Sequence, residues 1–220
     1  MSKNTYSIIL TDEVVEAIDA LAAHKGTSRS NLINQILAEH VCYVTPERRM
    51  KSIFSVMEQQ MQDIFRIQMQ ASDAMFSMQS VLCYKYRPTI RYSVELLRHP
   101  NSEKMGYLKI SCRTQNSTLL DAIDLFFRMW IEFEIKYHPY LSKVKALYKI
   151  EPGKMTRALS SNPELDETET GDVISNYVQH FDTLIKYYFS ILQQGLEIES
   201  VVSVLEKQYK ELCLSEELTL

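Results

Sequence analysis

The stretch NTYSIILTDEVVEAI, residues 4–18, combines two periodicities of hydrophobic residues. Tyr6, Ile8 and Leu10 alternate with neighbouring positions, and this period of two predicts a half-buried strand over residues 5–10. The residues that follow switch at once to the spacing of an amphipathic helix. A single short strand has no partner nearby in the sequence. The stretch therefore raises the question of what this strand pairs with.

Two short helices are predicted after the strand. Asp12 and Glu13 stand in the first turn of the first helix, where the helix dipole favours acidic side chains. Gly26 suits the left-handed position that ends a helix, and Ser28 suits the N-cap of a second one. Residues 1–45 are near the size below which a chain rarely folds alone. A dimer, in which two copies of the strand pair antiparallel on four helices, would resolve this difficulty.

The order and spacing of these elements resemble the ribbon-helix-helix family, the group of the Arc, MetJ and CopG repressors. The matching features are the strand TYSIIL, the capped helix start TDEVVEAIDALA, the turn HKGTSRS and the second helix NLINQILAEH. Proteins of this kind read DNA with a two-stranded ribbon, which fits the major groove. The resemblance implies that residues 1–45 form a homodimeric DNA-binding module.

The resemblance also implies two sets of residues that contact DNA. The outward strand positions, which would contact bases, are Thr5, Ser7 and Ile9. The positions that would contact phosphates are Lys3, Lys25, Ser28, Arg29 and Ser30. Hydroxyl groups can bond to base edges, and the amides at a helix start favour an anion. Ile9 departs from the usual polar choice, so it either contacts thymine methyl groups or packs across the ribbon.

Charge is distributed unevenly along the chain. Residues 1–45 carry a net charge of −2, residues 46–115 carry +5 and residues 116–220 carry −7, within a total of −4. An acidic total does not exclude DNA binding, because the local field at the contact face decides. It does argue against a protein that coats DNA by charge alone.

A long third helix is predicted from Pro46 to about Tyr84. Proline is favoured at the first helical position. Apolar residues from Ile53 to Val81 recur in steps of four and three, which is a heptad pattern. Such a seam would pack against the rest of the domain or against a partner helix. In the second case it could strengthen the dimer or assemble dimers into a tetramer through residues 46–220.

The rest of the chain predicts one hairpin followed by helices. TIRYSVELL and GYLKISCRT alternate apolar and polar residues around a turn-rich segment, which predicts a β-hairpin at about 89–113 with one apolar face. The helices are expected over STLLDAIDLFFRMWIEFEIKYH, over 140–148 and, after an acidic loop, over 172–194 and 197–214. The predicted fold class is mainly α with small β. A ribbon-helix-helix module is followed by a mostly helical α+β C-terminal domain, residues 46–220.

Patterns that would indicate catalysis or metal binding were not found in the sequence. The five histidines show no HxH, HxxxH or HExxH spacing, and no Gly-rich phosphate loop or nucleophile elbow is present. We therefore expect no enzyme activity, no metal and no cofactor. No apolar run approaches the roughly 18 residues of a membrane helix, and no signal pattern opens the chain. The expected location is the cytoplasm, at the nucleoid.

These observations predict a sequence-specific DNA-binding homodimer whose partner is double-stranded DNA, most simply a transcriptional repressor. Three alternatives stay open. The first is a plasmid partition, copy-control or relaxosome accessory protein. The second is an antitoxin, although the long hydrophobic C-terminal region is unlike a short tail that folds on a toxin. The third is a dimeric interaction module that does not bind DNA, which the acidic balance of residues 1–45 favours.

Overall fold

The computed structural model describes residues 6–68, 72–85, 87–101, 103–138, 141, 147–194 and 198–213. The chain divides into two compact units, Met1–Arg49 and Met50–Leu220. The boundary predicted from the sequence is residue 45, and the division in the structure falls four residues later.

The first unit contains two complete helices joined by a tight turn. They are α1 (Asp12–His24) and α2 (Arg29–His40). After α1, the Gly26 amide donates to the Ala23 carbonyl at 3.2 Å, and the Thr27 amide donates to the Ala22 carbonyl at 2.9 Å. This is the hydrogen-bond pattern of a Schellman motif, and Gly26 has the positive φ of 62° that the motif requires. The left-handed conformation predicted for Gly26 is confirmed.

The third helix, α3, begins where the sequence predicts but is much shorter. It covers Pro46–Met61, and the Thr45 hydroxyl caps it by accepting from the Arg48 amide at 3.2 Å. The predicted continuation to Tyr84 is wrong. The side chains of α3 at Met50, Ile53, Met57 and Met61 are buried in the core of the second unit. They therefore form no free seam for pairing with another copy.

The continuation is wrong because its apolar residues belong to strands. Two of these follow α3, β1 (Arg66–Gln68) and β2 (Met75–Val81). In β2, Met78 and Val81 fit the heptad steps, while Phe76 and Met78 fit the period of two of a strand. β2 pairs over seven residues with the next strand. The hydrogen bonds and side-chain contacts of that ladder outweigh the local helix propensity.

The second unit is built on a six-stranded antiparallel sheet with the order β1-β2-β3-β4-β6-β5. The remaining strands are β3 (Thr89–Leu96), β4 (Lys104–Cys112), β5 (Tyr148–Glu151) and β6 (Lys154–Ser160). β3 and β4 form the hairpin predicted at about 89–113. One row of neighbours across the six strands is apolar throughout and packs in the core: Ile67, Met78, Tyr92, Ile110, Met155 and Ile150.

The predicted fold class, mainly α with a small β component and one hairpin, is wrong. Across the described ranges the protein is α+β, with six helices and the six-stranded sheet. The β5–β6 hairpin lies where a short helix and an irregular segment were expected. Of that predicted helix, residues 140 and 142–146 lie outside the described residues. The EPG sequence, which reads as a helix breaker, is the turn of this hairpin, with Gly153 at a φ of 66°.

Helices cover one face of the sheet. The remaining three are α4 (Ser117–Tyr137), α5 (Glu167–Leu192) and α6 (Ile198–Cys213). The ring of Phe181 on α5 contacts Tyr92 of the sheet, with centroids 6.1 Å apart, and Trp130 on α4, with centroids 4.7 Å apart. Tyr209 on α6 packs on Trp130 at 5.3 Å. The core position predicted for Trp130 is confirmed.

The helix α5 starts five residues before its predicted start at residue 172. The amide of Glu169 donates to the Asp166 carboxylate at 2.8 Å, and the amide of Asp166 donates to the Glu169 carboxylate at 2.9 Å. This reciprocal capping box satisfies two amides at the helix start. Part of the expected acidic loop is therefore helical.

A buried ion pair joins β6 to α4. Arg157 Nη2 lies 2.6 Å from Glu134 Oε1, and the two residues are 1% and 3% exposed. The hydroxyl of Tyr177 and the indole of Trp130 both donate to the other carboxylate oxygen, at 2.8 and 3.0 Å. Burial by itself would lower the pKa of Arg157, but the Glu134 carboxylate together with Tyr177 and Tyr148 outweighs it, and the pKa is raised. The contacts of Glu134 place a counter-charge beside the buried guanidinium and satisfy both carboxylate oxygens.

Glu134→Ala would leave the Arg157 guanidinium buried without its counter-charge. We expect the free energy of unfolding to fall by about 3–5 kcal/mol, measured by urea denaturation followed by circular dichroism. The matched control is Glu151→Ala on the surface, which removes a carboxylate that is 41% exposed and should leave the free energy of unfolding close to that of wild type. Equal effects of the two substitutions would contradict the role given to the buried pair.

Candidate dimerisation and DNA-binding surface

Large hydrophobic side chains are exposed along the whole first unit. Of the fifteen that are exposed in the described parts of the chain, eleven lie before residue 45: Tyr6, Ile8, Ile9, Leu10, Val14, Leu21, Ile36, Leu37, Val41, Tyr43 and Val44. Tyr6 is 80% exposed and Ile9 is fully exposed. An apolar surface of this extent is typical of a protein–protein interaction site.

The first unit buries few apolar side chains of its own. Its buried hydrophobic residues, within the range 6–49, are Ala22, Leu32 and Ala38. Val14 and Leu21 are seven positions apart on α1, so they lie on the same face of that helix. Two helices with so small a core need another surface to pack against.

Of the predicted strand, residues 5–10, the described part is 6–10, and it has no pairing partner among the described residues of the single chain. Residues 6–10 lie outside any helix or strand and are exposed. The predicted ladder would join two chains, so the strand stays a prediction. The side chains that it would bury, Tyr6, Ile8 and Leu10, are among the exposed apolar residues.

The structure places most of the predicted DNA contacts on the surface of the first unit. Ser7 and Ile9 are exposed, while Lys3 and Thr5 lie outside the described residues. The other predicted phosphate contacts are exposed in or beside the turn between α1 and α2: Lys25, Ser28, Arg29 and Ser30. The turn thus brings four of the eight predicted residues together.

The start of α2 has the features of an anion-binding helix terminus. Ser28 is its N-cap, with extended backbone, and its hydroxyl accepts from the Asn31 amide at 3.3 Å. The first turn contains no acidic residue that would compete for the positive end of the helix dipole. The remaining amides of such a turn point towards solvent, where a phosphate can accept from them.

Arg29 forms an ion pair with Asp19, which is not among the residues predicted from the sequence. Its Nε donates to Asp19 Oδ1 at 2.6 Å, and its Nη2 bonds to Asp19 Oδ2. These bonds lower the pKa of Asp19 and raise the pKa of Arg29. Both side chains are about half exposed, at 45% and 53%. Because exposed pairs contribute little net stability, a phosphate can compete with Asp19 for Arg29.

Other kinds of site have less support. Within the described residues, no three His, Cys, Asp or Glu side chains lie close enough together to hold a metal ion. In the same residues, no helix combines the length and the apolar character needed to cross a bilayer.

Comparison with protein-family models, with curated proteins and with solved structures found no match.

Leu37→Ser tests whether a second copy covers the exposed apolar surface. Leu37 is 50% exposed, and burying a leucine contributes about 1.5–3 kcal/mol. We expect the substitution to weaken dimerisation at least about tenfold, measured by sedimentation equilibrium on the full chain.

Ile64→Ser is the matched control, because Ile64 is 52% exposed but belongs to the second unit. It should leave the dimerisation constant unchanged. A monomeric wild-type protein, or equal effects of the two substitutions, would contradict the assignment of this surface.

Proposed function

We propose that the protein is a homodimeric, sequence-specific DNA-binding protein that acts as a transcriptional repressor, in the cytoplasm and at the nucleoid. The observation that carries the proposal is the exposed apolar surface of the first unit. It coincides with the segment that resembles the ribbon-helix-helix family. In a dimer of that kind this surface would be the interface, and the outward side of the strand pair would be free for DNA.

The mechanism follows from strand geometry. Antiparallel pairing of residues 5–10 from two copies would turn Tyr6, Ile8 and Leu10 towards the helices, because successive side chains of a strand point to opposite faces. Thr5, Ser7 and Ile9 would then face the major groove. The two hydroxyls can bond to base edges, and Ile9 either contacts a thymine methyl group or packs across the ribbon.

The turn between α1 and α2 would position the ribbon on the duplex. The amides at the start of α2 and the hydroxyls of Ser28 and Ser30 would donate to a phosphate, and Lys25 and Arg29 would add positive charge. Phosphate contacts of this kind fix the orientation of a protein without reading sequence. The second unit folds around its own core, and a tetramer through residues 46–220 stays a prediction.

A gel-shift titration tests the proposal directly. Wild-type protein, Ser7→Ala and Arg29→Ala are titrated at two salt concentrations against genomic fragments that include the DNA upstream of the protein's own gene. We expect wild type to select one fragment and Ser7→Ala to lose that selection. Arg29→Ala should weaken binding to all fragments equally. It should also reduce the slope of log affinity against log salt concentration by about one. If a dimeric protein binds no fragment at low salt, the proposal fails and a dimeric interaction module is favoured.

Asp19→Asn is a companion variant that acts in the opposite direction. It removes the carboxylate that holds Arg29, so the guanidinium becomes available to a phosphate and the local charge becomes more positive. We expect binding to every fragment to tighten several-fold, with no change in which fragment is selected. Weaker binding would show that Asp19 supports the DNA contact instead of competing with it.

A further inference from the structure

The second face of the sheet is largely polar. The exception is at Ala158, which is buried in a small apolar cluster with Leu141, Leu147 and Tyr107. The residues of this face alternate along each strand with those that pack on the helices. Pairing across the strands aligns them in two rows. The first row is Arg66, Gln79, Arg91, Ser111, Lys154 and Glu151. The second is Gln68, Ser77, Ser93, Lys109, Thr156 and Lys149. Together with Glu95, which shares this face, we call these residues the basic sheet face.

Positive charge predominates on this face. It carries five Lys or Arg and two Glu, a net charge of +3, in a chain whose total is −4. Lys109 pairs with Glu95 at 2.6 Å, and two further lysines share Glu151. Arg66 and Arg91 are both exposed. The face is therefore opposite in sign to the chain as a whole.

Arg91 makes a side-chain hydrogen bond to another residue of the basic sheet face. Arg91 Nη2 donates to Gln68 Oε1 at 2.5 Å, which leaves its charge without a carboxylate in that contact. Ser77 and Ser93, in the middle of the face, are 2% and 9% exposed, and their hydroxyls bond to each other at 2.8 Å. Neighbouring strands lie about 5 Å apart, so the backbones of Arg66 and Arg91, two strands apart in the same row, are separated by about 10 Å. The result is a broad surface of separated positive charges.

The chemistry of the face fits phosphate oxygens better than bases. Arg, Lys, Ser, Thr and Gln are side chains that commonly contact the DNA backbone. Proteins that bind single strands need exposed aromatic rings on which bases stack. Among the described residues that lie beside the two rows on this face, the aromatic one is Tyr107, which is half-buried and accepts from Lys104 Nζ at 2.7 Å. Charge without a stacking platform favours duplex DNA over a single strand.

We infer that the basic sheet face is a second DNA contact, which binds the phosphate backbone of duplex DNA without reading its sequence. The inference rests on the proposed function, because a DNA-binding first unit brings duplex DNA to the protein. It assigns the second unit a direct part in affinity. It uses three of the eleven Lys and Arg residues in the range 46–115: Arg66, Arg91 and Lys109.

The test measures the salt dependence of binding to a labelled 40-base-pair duplex of mixed sequence, with full-length protein. Arg66→Gln combined with Arg91→Gln removes two exposed cations of the face. Each phosphate contact contributes about 0.9 to the slope of log affinity against log salt concentration, so we expect the slope to fall by about two. The control, Arg128→Gln combined with Lys207→Gln, removes two exposed cations from the helices and should leave the slope unchanged.

A second variant, which makes the face more positive, keeps the test valid if the Arg66→Gln, Arg91→Gln double variant misfolds. Glu151→Gln removes the carboxylate shared by Lys149 and Lys154, and we expect it to tighten binding several-fold and to steepen the slope. If the two double variants show the same salt slope while wild type binds the duplex, the inference is overturned and the proposed function stands. If the face variant changes the oligomeric state but not the slope, the face joins copies of the chain and the inference is again overturned. If wild type binds no duplex at low salt, the proposed function fails and the inference fails with it.

Discussion

The apolar surface of the first unit is the constraint on which the rest of the account depends. Eleven large hydrophobic side chains between Tyr6 and Val44 face solvent, while that unit buries three hydrophobic residues of its own within the described range. Burying a large apolar side chain contributes about 1.5–3 kcal/mol. A second copy that covered four of the eleven would thus contribute about 6–12 kcal/mol, as much as the whole stability of a typical domain. Folding of this unit and association of two chains are therefore expected to be one process.

The second unit buries its own hydrophobic core. Its core contains a hydrogen-bonded ion pair, Arg157 with Glu134, and the apolar face of its sheet is covered by helices. The other face of the same sheet presents Arg66 and Arg91 to solvent. The two units thus expose different surfaces, one apolar and one basic. We propose a different partner for each, a second copy of the chain for the first surface and a polyanion for the second.

The sequence predicts turns, helix starts and the β3–β4 hairpin, but it does not show how more distant strands pair. Gly26 and Pro46 were placed correctly because turns and helix starts are decided by a few neighbouring residues. β2 was read as helix because Met78 and its apolar neighbours fit two periods, and only the pairing with β3 chooses between them. The contact of Asp19 with Arg29 was missed because the two residues are ten positions apart and meet only through the turn between α1 and α2.

Hydrogen–deuterium exchange at residues 6–10 tests the central claim most directly. The full chain is labelled at two protein concentrations, one above and one below the dimerisation constant found by sedimentation. If the strands of two copies pair, the amides of Ser7 to Leu10 that face the ladder exchange slowly in the dimer and lose their protection on dilution. If these amides exchange as fast as those of an unstructured peptide while the protein is dimeric, no ribbon forms. The antiparallel pairing proposed for residues 5–10 of two copies would then be contradicted.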